Sequence, residues 1–272
     1  MTDKKLQDIA CQIRRDIVVM SGRANASHSG SALSAVEMVV ALYFDVMNIR
    51  PKEPAWPDRD RFILSKGHAG AVLYAALALR GFFPKSQLDT FCLDKGVLTT
   101  HPFLGGVSGV EATTGSLGHG LPVGVGMALA AKADGKKYTT YVMVSDGECD
   151  EGSVWEAILF AGFHRLDNLV LMIDYNKIQS FGRTKEVLDL EPLKKKIEAF
   201  RWDVIEIDGH NFSEIKTAFT ATKKRNGKPR CIIAHTVKGK GISFMEDKLE
   251  WHYKSPTGEV GIAALRELGG KS

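Results

Sequence analysis

Tyr141-Val142-Met143-Val144-Ser145-Asp146-Gly147-Glu148-Cys149-Asp150-Glu151-Gly152 sets an apolar run against a turn rich in carboxylates and glycine. The run Tyr138 to Ser145 predicts a strand, Val154 to Leu166 a helix, and Asn168 to Asp174 a second apolar strand that enters Tyr175-Asn176-Lys177-Ile178. That order is a β-α-β unit, whose two strands lie parallel and side by side. Asp146 and Asn176 then arrive together at the carboxyl edge of the sheet, where open α/β folds bind their ligands. Asp-Gly alone is a common turn and Asn alone a common helix cap. The second signal, one crossover away, shifts the reading to a site. A carboxylate oxygen, an amide oxygen and a backbone carbonyl suit a hard cation that keeps phosphate and water among its ligands. Gly147 allows close backbone approach to a phosphate, and a helix starting near Ser153 adds N–H groups and a favourable dipole.

Working outward, Leu6, Ile9, Ala10, Ile13, Ile17 and Met20 recur at steps of three and four, which predicts a helix from Lys4 to Met20. A second helix is expected over Ala35 to Val46, with Ala24 to Ser31 as a loop between them. Asp60 to Ser65 reads as a strand leading into Lys66-Gly67-His68, and Ala69 to Leu79 as a buried helix. Trp202 to Ile207 and Arg230 to Ala234 add strands. The fold class is therefore α/β, a mostly parallel sheet with helices on both faces, in a single domain over 1–272.

With 44% hydrophobic and 25% charged residues, the chain has the composition of a globular protein rather than a disordered one. The net charge of +4 is spread along the chain, and clusters such as Lys194-Lys195-Lys196 and Lys223-Lys224-Arg225 flank helical patterns, so no nucleic-acid partner is expected. Cys11, Cys92, Cys149 and Cys231 form no paired spacing that would signal zinc or a disulfide framework. A charged amphipathic start and the lack of any long apolar run predict a cytoplasmic chain with no membrane contact.

The Asp-Gly-Glu turn followed by Asn resembles the thiamine-diphosphate fingerprint. Gly152-Ser153-Val154-Trp155-Glu156-Ala157 and Leu166-Asp167-Asn168-Leu169-Val170 resemble transketolases in particular. So do Ser65-Lys66-Gly67-His68-Ala69, Thr114-Gly115-Ser116-Leu117-Gly118, Lys238-Gly239-Lys240-Gly241-Ile242, Glu246-Asp247-Lys248 and Trp251-His252. The resemblance implies a thiamine-diphosphate-binding fold in which Asp146, Asn176 and the Ile178 carbonyl hold Mg2+, or Ca2+ or Mn2+ in its place. It assigns His68, Gly147, Asn176, Lys238 and His252 to the diphosphate, Gly115 and Leu117 to the aminopyrimidine side, and Glu151 to a polar network between paired sites. Four departures from the family pattern, Ser145, the serines Ser27 and Ser29 around His28, Tyr253 and His119, leave those ligands intact but bear on the substrate channel.

His28, His68, His101 and His252 match histidines that line the transketolase active site, so the resemblance makes them the groups that bind and polarise sugar oxygens. His164 reads as a structural mid-helix residue, while His210 and His235 close strands and carry no assignment. Cys149 is not needed as a nucleophile, because the cofactor provides one. In the family, a glutamate from a second, pyrimidine-binding domain activates the cofactor. Thr257 to Leu268 reads as a closing loop and helix, so the expectation is a separate N-terminal subunit of a split transketolase, or else a piece of a longer chain. The expected partner is a C-terminal subunit with the pyrimidine domain, in an α2β2 heterotetramer. The implied reaction is transfer of a two-carbon ketol unit from a ketose, free or phosphorylated, to an aldose. The alternatives are the α subunit of a 2-oxo acid dehydrogenase and a non-catalytic support subunit.

Overall fold

The computed structural model describes residues 1–269; the last three residues of the expected 1–272 domain lie outside the described residues. Five strands, β1 (Arg61–Leu64), β2 (Thr140–Ser145), β3 (Leu169–Tyr175), β4 (Asp203–Asp208) and β5 (Arg230–His235), form one sheet in the order β1-β2-β3-β5-β4. Every neighbouring pair is parallel, and Ser145 pairs in register with Asp174.

Ten helices, α1 (Asp3–Ala24), α2 (Ser29–Ser34), α3 (Val36–Ala41), α4 (Gly70–Arg80), α5 (Gly120–Ala133), α6 (Gly152–Phe163), α7 (Thr184–Val187), α8 (Leu193–Ala199), α9 (Phe212–Thr222) and α10 (Gly258–Glu267), surround this sheet in the described residues. Side chains alternate between two cores because strand residues point to opposite faces in turn. Phe62, Leu64, Tyr141, Met143, Val170 and Met172 face the core built with α1, α3, α4 and α9. Ile63, Val142, Val144, Leu171 and Ile173 face the core built with α5, α6 and α8. A strand covered on both faces needs no polar face, which is why all of β3 is buried and reads as a continuous apolar run.

The expected helix over Ala35 to Val46 is interrupted, and the loop expected to reach Ser31 is helical from Ser29. Ser34 turns its hydroxyl onto the Ser31 carbonyl and Asp174, and Ala35 breaks the helix between α2 and α3. A wider π turn over Leu42–Val46 then ends the segment. Polar, short side chains that bond locally compete with regular helix, and periodicity does not register that competition. No helix among the described residues is long and apolar enough to cross a membrane.

Candidate active site

At the carboxyl ends of β1, β2, β3 and β5, the four strand-end turns and the segments around His28, Thr114 and His252 enclose a cleft of about 210 Å³. Its walls bring together His28, His68, His101 and His252, Gly115 and Leu117, Asp146 and Gly147, Asn176 and Ile178, and Lys238. The residues expected to hold the metal, the diphosphate, the aminopyrimidine and the sugar oxygens thus line one cavity. A larger cleft of about 680 Å³ opens near the amino ends of β1 and β2, beside Asp60 and Tyr138. It contains none of these residues.

The oxygen atoms converge because of strand register. Asp146 is 1% exposed; its carboxylate accepts the N–H of Gly147 at 2.8 Å and the N–H of Lys177, which ties the end of β2 to the end of β3. Burial and the nearby Asp174 carboxylate push its pKa up to about 6. Asn176 accepts the Ile178 N–H through Oδ1 at 3.1 Å. Lys238, 1% exposed, donates from Nζ to the Ile178 carbonyl at 2.9 Å and lies 2.8 Å from His252 Nδ1. The oxygens of the cleft therefore already attract one cation, and burial lowers the pKa of that cation to about 8. Among the described residues no three His, Cys, Asp or Glu side chains converge as a metal cluster, so a cation here would depend on Asp146 together with amide and carbonyl oxygens. That donor set, next to a buried ammonium, fits a divalent ion joined to a diphosphate.

Small residues keep the walls close. A Cβ on Gly147 would lie 2.8 Å from Gln179 Cβ, and one on Gly115, whose φ is +132°, would lie 2.9 Å from the His101 ring. The imidazoles of His28, His68 and His252 form a cluster with centroid separations of 5.0 to 5.8 Å. His28 sits in the left-handed region at φ 71°, at the start of α2, and its N–H donates to the His252 carbonyl at 3.0 Å. Burial lowers the pKa of all three rings, to about 4 in His28 and about 3 in His252, with the neighbouring lysines adding to the effect. The cluster is neutral at physiological pH and can donate or accept hydrogen bonds.

Other residues fall outside the cleft or serve the scaffold. His119 and Glu151 are exposed, and the His119 ring hydrogen-bonds the Leu117 carbonyl at 3.0 Å, so this departure from the family pattern does not line the cavity. Tyr253 is 59% exposed, with its ring 4.8 Å from that of His252 at the mouth. His164 is not mid-helix: it caps the C-terminal end of α6 and stacks on Phe160. His210 hydrogen-bonds Glu37 Oε2 at 3.0 Å through Nδ1 and accepts the Val237 N–H at 2.8 Å through Nε2, which braces the turn that carries Lys238. Burial holds the Cys149 thiol well above its ordinary pKa, so it stays protonated.

Sequence reasoning passed over Lys66, Asp174 and Glu148. Glu148 is fully buried and accepts from the Ser65 hydroxyl and, at 2.8 Å, from the Gly118 N–H, joining β1, β2 and the Leu117 turn. The available signal was the charge of these residues inside otherwise apolar strand ends, since buried charges are paired.

Residues 6–272 match the family model described as "Transketolase, thiamine diphosphate binding domain". The chain is 48% identical over 263 residues to the 6-deoxy-6-sulfo-D-fructose transketolase subunit SqwG of Clostridium sp., covering 97% of this chain and 96% of that protein. It is 44% identical over 255 residues to a subunit of the apulose-4-phosphate transketolase of Phocaeicola vulgatus, covering 94% of this chain and 90% of that protein. Human transketolase is 38% identical over 264 residues; the match covers 97% of this chain and 42% of the human protein. Among solved structures, the transketolase of Campylobacter jejuni superposes with a TM-score of 0.93 at 33% identity, covering all of this chain and 44% of that one.

Proposed function

The chain belongs to the transketolase family through its thiamine-diphosphate-binding domain, and we propose that it is the diphosphate-binding subunit of a two-component enzyme that transfers a two-carbon ketol unit from a ketose to an aldose. The observation that carries this reading is the near end-to-end match with two relatives named as transketolase subunits, beside a match to only 42% of human transketolase.

In this reading Asp146, Asn176 and the Ile178 carbonyl hold a divalent cation, Mg2+ or, as substitutes, Ca2+ or Mn2+. Gly147, Asn176, His68, Lys238 and His252 hold the diphosphate. Gly115 and Leu117 border the aminopyrimidine. When bound, thiamine diphosphate supplies the carbon nucleophile and electron sink that ketose cleavage requires. His28, His68, His101 and His252 orient the hydroxyl and carbonyl oxygens of the sugar, and the neutrality of the clustered His28, His68 and His252 lets each give or take a proton at a ring nitrogen. Glu151, exposed beside the Leu117-Gly118 turn, is available to a polar network with a neighbouring subunit.

The proposed partner is a C-terminal subunit that brings the pyrimidine-binding domain and the activating glutamate, in an α2β2 assembly in the cytoplasm. Support for a partner comes from the exposed apolar side chains of α6 and α5: Leu159 at 57%, Phe160 at 41% and Phe163 at 69%, with Leu129 of α5, at 38%, lining one groove with Phe160. Such an exposed set is unusual unless a partner covers it. The names of the two subunit relatives direct the substrate search to sulfonated and phosphorylated ketoses.

Reconstitution with such a pyrimidine-domain subunit tests the proposal. Cofactor-dependent transfer of two carbons from a ketose to an aldose, absent with either chain alone, is expected. Decarboxylation of a 2-oxo acid instead, or no turnover by a stable assembly, would overturn it.

A further inference from the structure

Asp174 is absent from the proposed ligand set, yet it is 2% exposed directly beneath it and collects four donors. Its Oδ2 accepts from Lys66 Nζ, from Ser34 Oγ at 2.6 Å and from Asn176 Nδ2 at 3.3 Å, while Oδ1 accepts from the Thr236 hydroxyl. These donors come from α2 and from the ends of β1, β3 and β5. Lys66 is fully buried, and its ammonium also donates to the Ser31 carbonyl at 2.8 Å.

A buried ion pair is weak evidence for stability, because apolar residues of the same volume often hold a fold as well. The pair has a second effect. The two ends of an amide are chemically different, and a carboxylate is an acceptor only. Asn176 must therefore turn Nδ2 toward Asp174, which leaves Oδ1 on the side of the Ile178 N–H, where the Asp146 carboxylate and the Ile178 carbonyl border the cleft.

We infer that Asp174, held by Lys66, is a positioning residue that fixes the amide orientation of Asn176 and so selects the oxygen it offers to a divalent cation. The inference rests on the proposed metal–diphosphate site and deepens it. The hub also ties α2, which follows His28, to the strand carrying Asn176, so one buried charge pair aligns the sugar side and the metal side of the cleft.

Asp174→Leu is close in shape and removes both acceptor oxygens, so nothing at this position holds Asn176 Nδ2. Lys66→Met combined with Asp174→Leu removes both charges and avoids an unpaired ammonium. The full chain is titrated with Ca2+ at fixed thiamine diphosphate by calorimetry, with thermal midpoints recorded in parallel. Both variants are expected to bind Ca2+ at least about tenfold more weakly than the parent, the scale of an outer-shell defect. The double variant is expected to recover the thermal midpoint without recovering affinity, and it carries the test if the single variant fails to fold. Parent-like Ca2+ affinity in the folded double variant would overturn the positioning role alone. A parent chain that binds neither Ca2+ nor the cofactor even when assembled with the pyrimidine-domain subunit would overturn the underlying site as well.

Discussion

Gly67 lies at the turn after β1, where a Cβ would stand 2.7 Å from both the Gly115 N and the Thr114 Oγ1 and 2.8 Å from the Thr114 carbonyl carbon. Gly67→Ala therefore forces the Thr114–Leu117 turn back from 2.7 Å toward the 3.4 Å of ordinary contact, a retreat of about 0.7 Å. Two of the atoms in the way are backbone, so no side-chain rotation relieves the clash. Overpacking of this kind costs about 1–3 kcal/mol of stability. The functional cost is larger in proportion, because Gly115 and Leu117 face the cleft and His101 packs on Gly115. Displacements approaching an ångström can cost roughly a hundredfold in a positioned site, and thiamine diphosphate should bind about 10- to 100-fold more weakly. The control is Gly126→Ala, where an added Cβ meets nothing within 4 Å on α5. That change should leave affinity intact and add up to about 1 kcal/mol, the helix preference of Ala over Gly. Calorimetric titration of the cofactor at saturating Ca2+, with urea melts of both variants, reads the two effects. Binding by Gly67→Ala within about twofold of the parent, alongside the expected loss of stability, would refute the claim that this contact sets the cofactor wall.

Three further outcomes are expected. The His28 pKa falls from the ordinary 6.5 to about 4, so between those values the unfolded chain binds more protons and stability rises with pH, levelling off above 6.5. Parent stability should thus drop relative to His28→Asn between pH 7 and 4.5, by about 1–2 kcal/mol once the partial exposure of the ring is allowed for. Asp146, with its raised pKa, works in the opposite direction in both proteins and cancels in the comparison; parallel urea-stability curves would contradict the assignment. Glu37→Gln leaves the buried Arg14 guanidinium without its carboxylate partner, at 2.6 and 2.8 Å in the parent, and should cost roughly 3 kcal/mol in urea unfolding. His101→Ala, at an exposed position, should keep stability within about 0.5 kcal/mol yet lower kcat/KM for a ketose donor in the reconstituted pair by about 10- to 100-fold. Unchanged turnover would remove His101 from the substrate site.

The parallel sheet was legible in the sequence because its strands, buried on both faces, read as apolar runs that each end in a polar turn. Asp146 and Asn176 were legible for the same reason: one crossover of regular length carries both to one edge. The break at Ala35 was not, since it depends on Ser34 reaching Asp174, a residue 140 positions away. Lys66 and Asp174 escaped notice as a pair because a lysine in a glycine-rich turn and an aspartate at a strand end look like solvated residues until the fold closes over both. His210 stayed unassigned because its partners, Glu37 and Val237, are contributed by α3 and the turn after β5. His119, a departure from the family pattern expected to bear on the substrate channel, turns its ring back onto the Leu117 carbonyl outside the cleft, an orientation that its place in the sequence does not show.

The central claim, that the ends of β2 and β3 form the metal–diphosphate site, is tested most directly by anomalous diffraction from crystals of the chain grown with thiamine diphosphate and Mn2+. The account predicts a single strong manganese peak ligated by Asp146, Asn176 and the Ile178 carbonyl, with Lys238 released toward the diphosphate. A peak outside this cleft, or cofactor density with no metal against Asp146 and Asn176, would contradict it.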